Sequence, residues 1–401
     1  KFVSIMLALA MSMSLAACGA DSSSDASSGS QSSSDAASGE KVVKIGVFEP
    51  ASGDNGAGGK QETLGILYAN SQTKTVEIDG EPYRVELETV DNESATDKAP
   101  TAAQNLLSRG VSVVLGSYGS GVSIAAADIF ARGGVPAIGI SCTNPQVTAG
   151  NETYFRICFL DPFQGTVLAN FARDYLKAEK AYCLSKLGDD YSGGLVNYFV
   201  DAFQKAGGEV VSEAFQEGNS DFTSYITKAK NEGADIFYAP VSTEAAALLV
   251  DQASSQGLTV PILAGDTWDS NVILNASKGK NVQIYVTTFY QEGANPEFDA
   301  GVKAWMQSDP RYIKNNGGDV GLAAMTAMGY DAYYVALEAM KKADSIKPGD
   351  ILNALGTVEY EGVSGSIAFD ENGDAIRDRA YVKTADTVSG NWKFVAEQTV
   401  R

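Results

Sequence analysis

From Lys41 onward, short runs of β-branched and other apolar residues alternate with longer stretches whose apolar positions recur at helical spacing. Such runs are typical of buried strands, and the amphipathic stretches are typical of helices that cover a sheet. Glycine and proline mark most of the joins between them. In the first part of the chain the predicted strands are 42–48, 83–91, 111–116 and 136–140, and the predicted helices are 60–72, 99–109 and 122–132.

The same alternation starts again near residue 160. Its predicted strands are 181–184, 209–214, 236–239, 262–264 and 284–288, and its predicted helices are 162–176, 194–206, 225–232, 243–256, 296–307 and 320–342. The tail differs, because residues 367–370, 380–383 and 392–396 favour antiparallel strands joined by tight turns. Alternating strands and helices imply a mostly parallel sheet covered on both faces. A folded region of about 360 residues exceeds what one hydrophobic core serves, so we expect an α/β chain with two domains.

The N-terminal segment has the pattern of an export signal followed by a tether. Residues 2–15 are apolar but too short to span a bilayer, and they lead into Leu15-Ala16-Ala17-Cys18, the pattern of a lipobox. We therefore expect a signal peptide over 1–17, a lipid anchor on Cys18 and an extracytoplasmic location. The ten serines of residues 21–40 favour a disordered linker over 18–40.

Charge and composition exclude several classes of function. The formal net charge is −20, and nucleic acids and anionic lipids bind through basic patches, so neither is expected as a partner. The sequence contains no histidine, which excludes histidine triads and imidazole bases. Cys142, Cys158 and Cys183 lack metal-ligand spacing. A disulfide between Cys158 and Cys183 and buried free thiols are both compatible with this spacing; no metal or cofactor is expected.

Two segments resemble ligand loops but depart from their patterns. Residues 52–60 follow the first predicted strand as a phosphate loop would, yet Gln61 stands where a Walker loop needs serine or threonine. Residues 370–374 resemble a calcium loop, but Tyr381 stands where that loop needs a bidentate glutamate. A glycine-rich loop in a cleft and a hairpin turn are the favoured interpretations.

Hydroxyl groups follow two neighbouring strands of the first predicted sheet. Residues 116–121 lie between a strand and a helix, and residues 141–145 follow the next strand. Parallel strands end at the same edge, where α/β proteins bind ligands. The two segments together predict a carboxylate-binding cradle, although each alone is also compatible with helix capping.

An acidic segment ends a strand of the second predicted sheet. Residues 264–269 contain Asp266 and Asp269, and a carboxylate at this edge can meet a ligand ammonium across a cleft. The alternative is that one of the two acids, above all Asp269, caps the helix that begins near Asn271.

Taken together, these segments resemble the leucine/isoleucine/valine-binding family, the solute-binding proteins of branched-chain amino acid ABC transporters. The resemblance covers the chain from Lys41 to its end and depends on the order and spacing of many short motifs. They are Lys44-Ile45-Gly46-Val47 with Ser52-Gly53, Gly119-Ser120, Ser141-Cys142-Thr143-Asn144-Pro145, Tyr154-Phe155-Arg156 with Asp161 and Gln164-Gly165, Asp190-Tyr191-Ser192-Gly193-Gly194, Gly265-Asp266-Thr267-Trp268-Asp269 and Gly329-Tyr330-Asp331-Ala332.

The resemblance implies the type I periplasmic binding protein fold, with two doubly wound α/β lobes, each built on a parallel sheet, joined by a three-stranded hinge. The first lobe is expected to comprise 41–157 and 290–362, and the second 158–289 and 363–401. The hinge crossings are expected near 157–160, 287–290 and 362–368.

The resemblance also implies the roles of individual site residues. Ser120 and Thr143 match the groups that hold the ligand carboxylate, and the carbonyl of Ser141 and the side chain of Asp266 match those that hold the ammonium. Tyr191 matches an aromatic residue that closes over the ligand. The side-chain pocket departs from the family, because Gly58 replaces an aromatic residue and a serine stands at a tyrosine position. The residues expected to form this pocket are Tyr118, Ser242 and Trp268.

The implied function is delivery of an α-amino acid, branched-chain or otherwise apolar, to an ABC permease by hinge closure, without catalysis and as a monomer. Three alternatives remain open at the sequence level. The same fold can bind an amide, urea, a polyamine or a short peptide, or it can act as a ligand sensor. A hydrolase would need a Ser–Lys pair or paired carboxylates, and the two residues of Ser185-Lys186 are too close in sequence to favour such a pair.

Overall fold

The computed structural model describes residues 40–399. The predicted signal peptide, the lipidation site Cys18 and the linker as far as residue 39 lie outside the described residues. Within residues 40–399, none of the helices combines the length and the apolar character needed to cross a membrane.

The first sheet is formed by six strands from the N-terminal part of the described chain. Its strands are Val42–Glu49 (β1), Thr75–Ile78 (β2), Glu81–Asp91 (β3), Val113–Leu115 (β4), Ala137–Gly139 (β5) and Tyr154–Arg156 (β6). The helices among them are Gly56–Gln72 (α1), Ala99–Ser108 (α2) and Ser120–Gly133 (α3). The strand order is β2-β3-β1-β4-β5-β6, and β1 runs parallel to both β3 and β4. The chain direction across the sheet therefore reverses between β1 and β4, the type of position at which α/β sheets bind ligands.

The second sheet begins after the chain leaves β6. Its first strands are Lys180–Lys186 (β7), Glu209–Phe215 (β8), Ile236–Tyr238 (β9), Ile262–Ala264 (β10) and Ile284–Thr288 (β11). Its helices are Asp161–Asn170 (α4), which continues into a π-helical turn, Asp190–Lys205 (α5), Thr223–Asn231 (α6), Thr243–Ser255 (α7) and Asn271–Ser277 (α8). These five strands are parallel, and their order again reverses, here between β7 and β9.

The chain then returns to the first sheet before it completes the second. The returning elements are the helices Pro296–Met306 (α9), Pro310–Asn315 (α10), Ala324–Ala343 (α11) and Pro348–Leu355 (α12), and the hairpin Glu359–Gly362 (β12) with Gly365–Ala368 (β13). Arg379–Asp386 (β14) and Asn391–Thr399 (β15) then add to the second sheet as antiparallel strands, so that its order is β15-β14-β11-β10-β9-β7-β8. The predicted antiparallel tail is confirmed.

Each sheet is covered on both faces, because alternate residues of its strands enter different cores. Ile45 of β1 belongs to a core with residues of α1 and α11, whereas Phe48 packs against Phe130 of α3 with 5.4 Å between ring centroids. In the second sheet, Tyr182 and Cys183 of β7 enter opposite cores in the same way. This is the doubly wound arrangement expected from the sequence.

Helices α1 and α11 approach so closely that only glycine fits at two positions. A Cβ atom on Gly65 would lie 2.0 Å from the carbonyl oxygen of Thr326, and one on Gly329 would lie 2.1 Å from that of Glu62. This contact fixes α1, and hence Glu62, against the rest of the first layer.

The chain passes between the two sheets at three places within the described residues: after β6, after β11 and between β13 and β14. The third passage comes at residues 369–378, later than the expected 362–368, because residues 365–368 pair with 359–362 instead. The hairpin is tied to α11 by Asp331, which accepts a hydrogen bond from the amide of Val363 at 2.9 Å. The assignment of complete segments to the two lobes stays a prediction.

Candidate functional site

The loops at the carboxyl ends of the two sheets face each other and form a crevice. Polar contacts cross it, one of them from the amide of Glu244 to the carbonyl of Asp54 at 3.2 Å. The Tyr118 hydroxyl donates to the carbonyl of Thr267 at 3.3 Å, and Asn144 Nδ2 donates to the carbonyl of Asp190 at 2.7 Å. An ion pair joins Lys186 Nζ to Asp54 Oδ2 at 2.8 Å. The structure therefore shows the crevice closed, with a cavity of about 50 Å3 between its walls; among its lining residues are Tyr118, Ser120, Lys186, Tyr191, Ser242 and Thr267.

The predicted carboxylate cradle lies on the first-sheet wall. Ser120 is the first residue of α3, and its Oγ accepts a hydrogen bond from the amide of Asn144 at 3.2 Å, which joins the two predicted loops. Thr143 is fully buried, and its Oγ1 has no hydrogen-bond partner among residues 40–399. Because the first amide groups of a helix lack intrahelical partners, the start of α3 adds donors beside these hydroxyls.

Ser141 is held by a residue that sequence reasoning did not select. It follows β5, and its hydroxyl donates to Oε1 of Glu62, which lies on the buried face of α1. Burial above all, and to a smaller extent the negative charge of Asp266, raise the pKa of Glu62 to about 8. The residues three and four positions from Glu62 are Gly58, Gly59, Gly65 and Ile66. A glutamate on this apolar face of the helix was the signal from which a role for Glu62 could have been predicted.

Asp266 lies on the opposite wall, in a short turn of 3-10 helix, Asp266–Trp268. Its Oδ1 accepts hydrogen bonds from Gln164 Nε2 and from the Tyr191 hydroxyl, both at 2.9 Å. Its Oδ2 is buried and has no partner within the described part of the chain. Burial raises the pKa of this carboxyl to about 6, while the two hydrogen bonds oppose that shift. Asp266 thus offers one oriented, unpartnered oxygen.

Asp269 does not cap α8, so that prediction is wrong. Ser270 is the cap and accepts a hydrogen bond from the amide of Val272. Asp269 instead pairs with Lys383 of β14, with 2.9 Å between Oδ2 and Nζ, and accepts a hydrogen bond from Thr288. Asp266 caps no helix either.

The three expected pocket residues have different environments in the structure. Tyr118 lies in the crevice, and its ring occupies the space above Gly58, where a Cβ atom would come within 2.2 Å of the ring. Ser242 lines the cavity and caps α7. Trp268 is fully buried in the core of the second sheet, and its Nε1 donates to the carbonyl of Val241 at 3.2 Å. Its expected place in the ligand pocket stays a prediction.

The other segments singled out in the sequence have structural roles. In the glycine-rich loop, Asp54 forms the ion pair with Lys186. At residues 370–374, Asp370 accepts hydrogen bonds from the amides of Asn372 and Asp374, as in a tight turn. Cys142, Cys158 and Cys183 are buried free thiols in the described chain. No group of metal-ligating side chains occurs within the part of the chain that the structure describes.

A sequence profile described as periplasmic binding protein matches residues 42–388 of this chain. The chain belongs to this family. Its members are extracytoplasmic binding components of transporters, which agrees with a closed crevice between two α/β layers.

Named relatives point to amino acids. The chain is 28% identical over 336 residues to a Leu/Ile/Val-binding protein homolog of Brucella abortus, covering 83% of this chain and 87% of the relative. A solved leucine binding protein, LivK of Thermotoga maritima, is 33% identical with a TM-score of 0.78, and the match covers 89% of this chain and 99% of that one. The branched-chain amino acid transporter substrate binding protein LivJ of Streptococcus pneumoniae, solved with isoleucine, is 27% identical with a TM-score of 0.77, covering 90% and 99%. The type I periplasmic binding protein fold, with mixed α/β layers and parallel sheets, is thus confirmed.

Proposed function

We propose that this protein binds a free α-amino acid, branched-chain or otherwise apolar, in the crevice and delivers it to an ABC permease. The observation that carries this proposal is Oδ2 of Asp266, a buried carboxylate oxygen without a partner in residues 40–399, beside Tyr191 and Thr267 of the crevice wall. An unpaired buried carboxylate is unfavourable, and a ligand ammonium supplies the missing donor and the opposite charge.

The other wall suits the opposite end of the same ligand. Ser120 and the unpartnered Oγ1 of Thr143, with the first amide groups of α3, form a set of donors for a carboxylate. We expect the carbonyl of Ser141 to accept a hydrogen bond from the ammonium together with Asp266. Each charge-assisted hydrogen bond contributes roughly 1.5–3 kcal/mol, and the fixed separation of the two charges selects for α-amino acids.

Closure follows from this division of contacts. The carboxylate is bound mainly by the first-sheet wall and the ammonium mainly by the second, so the ligand stabilises the closed state over the open one. The contacts of Tyr118, Asn144 and Asp54 across the crevice are made in that closed state. The closed form is the one that docks on the permease subunits.

The proposal also covers how the protein is attached to the membrane and which partners it has. We expect a monomer held at the membrane surface by lipid on Cys18, with residues 18–40 as its tether. The protein carries out no catalysis, and ATP hydrolysis takes place on other subunits. Its partners are an amino acid and the permease.

A thermal-shift panel tests the proposal. The panel contains the twenty amino acids, acetamide, urea, spermidine and benzoate, the last being a carboxylate without an ammonium. We expect stabilisation by one or more apolar amino acids. Stabilisation by amides, by polyamines or by benzoate, but by no amino acid, would contradict the proposal.

Substitution of Asp266 tests whether its carboxylate contributes to amino acid binding. Asp266→Ala removes one charge-assisted hydrogen bond, so we expect at least about tenfold weaker amino acid binding with an intact ligand-free fold. Asp128→Ala is the matched control, because Asp128 is exposed on α3. An unchanged affinity in Asp266→Ala would remove this residue from the site.

A further inference from the structure

Two carboxyl groups lie together behind the first-sheet wall of the crevice. Glu49 ends β1 and is 2% exposed, and Glu62 of α1 is 0% exposed. The amide of Tyr118 donates to Glu49 Oε2 at 2.8 Å, and the Ser141 hydroxyl donates to Glu62 Oε1. Oε1 of Glu49 and Oε2 of Glu62 are buried and have no hydrogen-bond partner within the described residues, and neither carboxyl group forms an ion pair with a lysine or arginine of the described chain.

Two buried carboxylates in contact cannot both be ionised without a neighbouring cation. Burial raises the pKa of Glu62 to about 8, and burial together with the charge of Glu62 raises that of Glu49 well above its usual range. At neutral pH the pair therefore holds at least one proton.

None of the following groups around the pair carries a positive charge. The ammonium of the ligand is therefore the cation that can favour ionisation of the pair. Cys142 and Tyr118 are neutral, because burial raises the pKa of each. The helices packed on α1 contact it through neutral groups near Glu62: the carbonyl of Thr326 from α11 lies against Gly65, and Asn316 from α10 accepts a hydrogen bond from Gln61. Across the crevice stands the acid Asp266, whose charge also disfavours ionisation of Glu62.

An ammonium that binds beside Asp266 reverses this balance. The ammonium would contact the carbonyl of Ser141, and the hydroxyl of the same residue donates to Glu62. The positive charge of the ligand therefore lies close to Glu62. Opposite charges favour the ionised form of a carboxyl group, so the pair loses a proton to solvent as the ligand enters.

We propose that Glu62 is a positioning residue of the ammonium subsite, acting through Ser141, and that the Glu49–Glu62 pair releases a proton when an amino acid binds. The inference depends on the proposed function, because it needs an ammonium beside Asp266.

Calorimetry in two buffers of different ionisation enthalpy, phosphate and Tris, tests the inference at pH 7.5. The probe is L-leucine, or the amino acid that the thermal-shift panel selects instead. The difference in heat between buffers gives the number of protons released, and we expect about one per ligand for the unmodified protein. Asp266, with a pKa of about 6, is already ionised at this pH and contributes little.

Three variants test whether the released proton comes from the Glu49–Glu62 pair. Glu62→Gln keeps an acceptor for Ser141 but cannot titrate, so we expect release to fall to nearly zero while amino acid binding, although weaker, is still measurable. Asp161→Asn should keep the release, because the Asp161 amide donates to the carbonyl of Thr143 at 3.0 Å, which places this residue at the carboxylate end. Glu297→Gln, on the exposed start of α9, is the surface control.

The outcomes separate the two proposals. Equal heats in both buffers with a binding ligand would overturn the proton release and leave the amino acid function standing. Proton release unchanged in Glu62→Gln would overturn the role of Glu62. The absence of binding by any amino acid would instead overturn the proposed function.

Discussion

Gln164 holds Asp266 at two points. Its Nε2 donates to Asp266 Oδ1 and its Oε1 accepts from the Asp266 amide, both at 2.9 Å. The same Oε1 also accepts from the hydroxyl of Thr287, at the end of β11, at 2.6 Å. Gln164 therefore connects α4, the turn that contains Asp266 and the strand from which the chain leaves the second sheet.

Substitution of Gln164 tests whether this orientation matters for binding. In Gln164→Ala the Asp266 side chain loses one of its two hydrogen bonds, and its amide is left unpaired. We expect about tenfold weaker amino acid binding and a lower melting temperature, because buried hydrogen bonds to a charged group are worth roughly 1.5–3 kcal/mol. Isothermal titration and thermal unfolding give the two quantities. Gln204→Ala, on the exposed face of α5, should leave both unchanged; wild-type affinity in Gln164→Ala would show that Asp266 needs no such support.

Most of the fold could be predicted because the elements that build the layers are long and strongly patterned. The strand at 42–49 and the helices at 99–108 and 243–255 end within a few residues of their predicted limits. The short elements β2, β6, α10, α12 and β12 were missed, because three to eight residues carry too little periodicity. The third passage between the sheets was misplaced for the same reason, since a short hairpin occupies the expected residues.

The site could be predicted only where a loop follows a strand. Ser120, Ser141, Thr143 and Asp266 have positions that can be read from the alternation of strands and helices. Glu62 lies on a helix and meets Ser141 through a tertiary contact that no local pattern encodes. The capping assignment of Asp269 failed likewise, because its partner Lys383 is distant in sequence and the adjacent Ser270 supplies the cap.

Gly58 and Tyr118 form a matched pair at the crevice. The Cβ atom of an alanine at position 58 would lie 2.2 Å from the Tyr118 ring, so Gly58→Ala must displace that ring and its hydrogen bond to Thr267. We expect weaker amino acid binding and a changed preference among side chains, measured by calorimetry over the panel. The double variant Gly58→Ala/Tyr118→Ala removes the clash and should regain part of the lost affinity.

Gly349→Ala is the control for the loss of a glycine, because a Cβ atom at that position meets nothing within 4 Å. A Gly58→Ala variant with the affinity and preference of the unmodified protein would show that the Tyr118 ring does not shape the pocket.

The buried carboxyl groups predict how the stability of the ligand-free protein depends on pH. The pKa of Glu62 rises from an ordinary 4.5 to about 8 in the folded state, so between these values the folded protein holds a proton that the unfolded chain has lost. The free energy of unfolding should therefore fall as pH rises from about 4.5 to about 8. Urea unfolding at intervals across this range measures the slope.

Glu62→Gln should make that slope shallower, since glutamine does not titrate. Part of the slope should remain, because burial also raises the pKa values of Asp161 and Asp266, to about 8 and about 6. Glu297→Gln should leave it unchanged. A stability that rises with pH over the same range would mean that these carboxyl groups are ionised and paired in the folded protein.

The ion pair between Lys186 and Asp54 joins the two walls of the crevice at its mouth, so it should act on the rate of opening. Lys186 also pairs with Glu217, with 2.6 Å between Nζ and Oε2, but this second contact does not cross the crevice. Asp54→Asn removes only the crossing pair and Glu217→Gln only the other, which makes the second variant a matched control. Partly exposed ion pairs contribute at most about 1 kcal/mol, so Asp54→Asn should speed amino acid dissociation by up to about fivefold.

Stopped-flow displacement followed by tryptophan fluorescence gives this rate. The difference should shrink at high salt, where screening weakens the pair in the unmodified protein. Equal dissociation rates in Asp54→Asn and Glu217→Gln at low salt would show that the pair forms without holding the crevice closed.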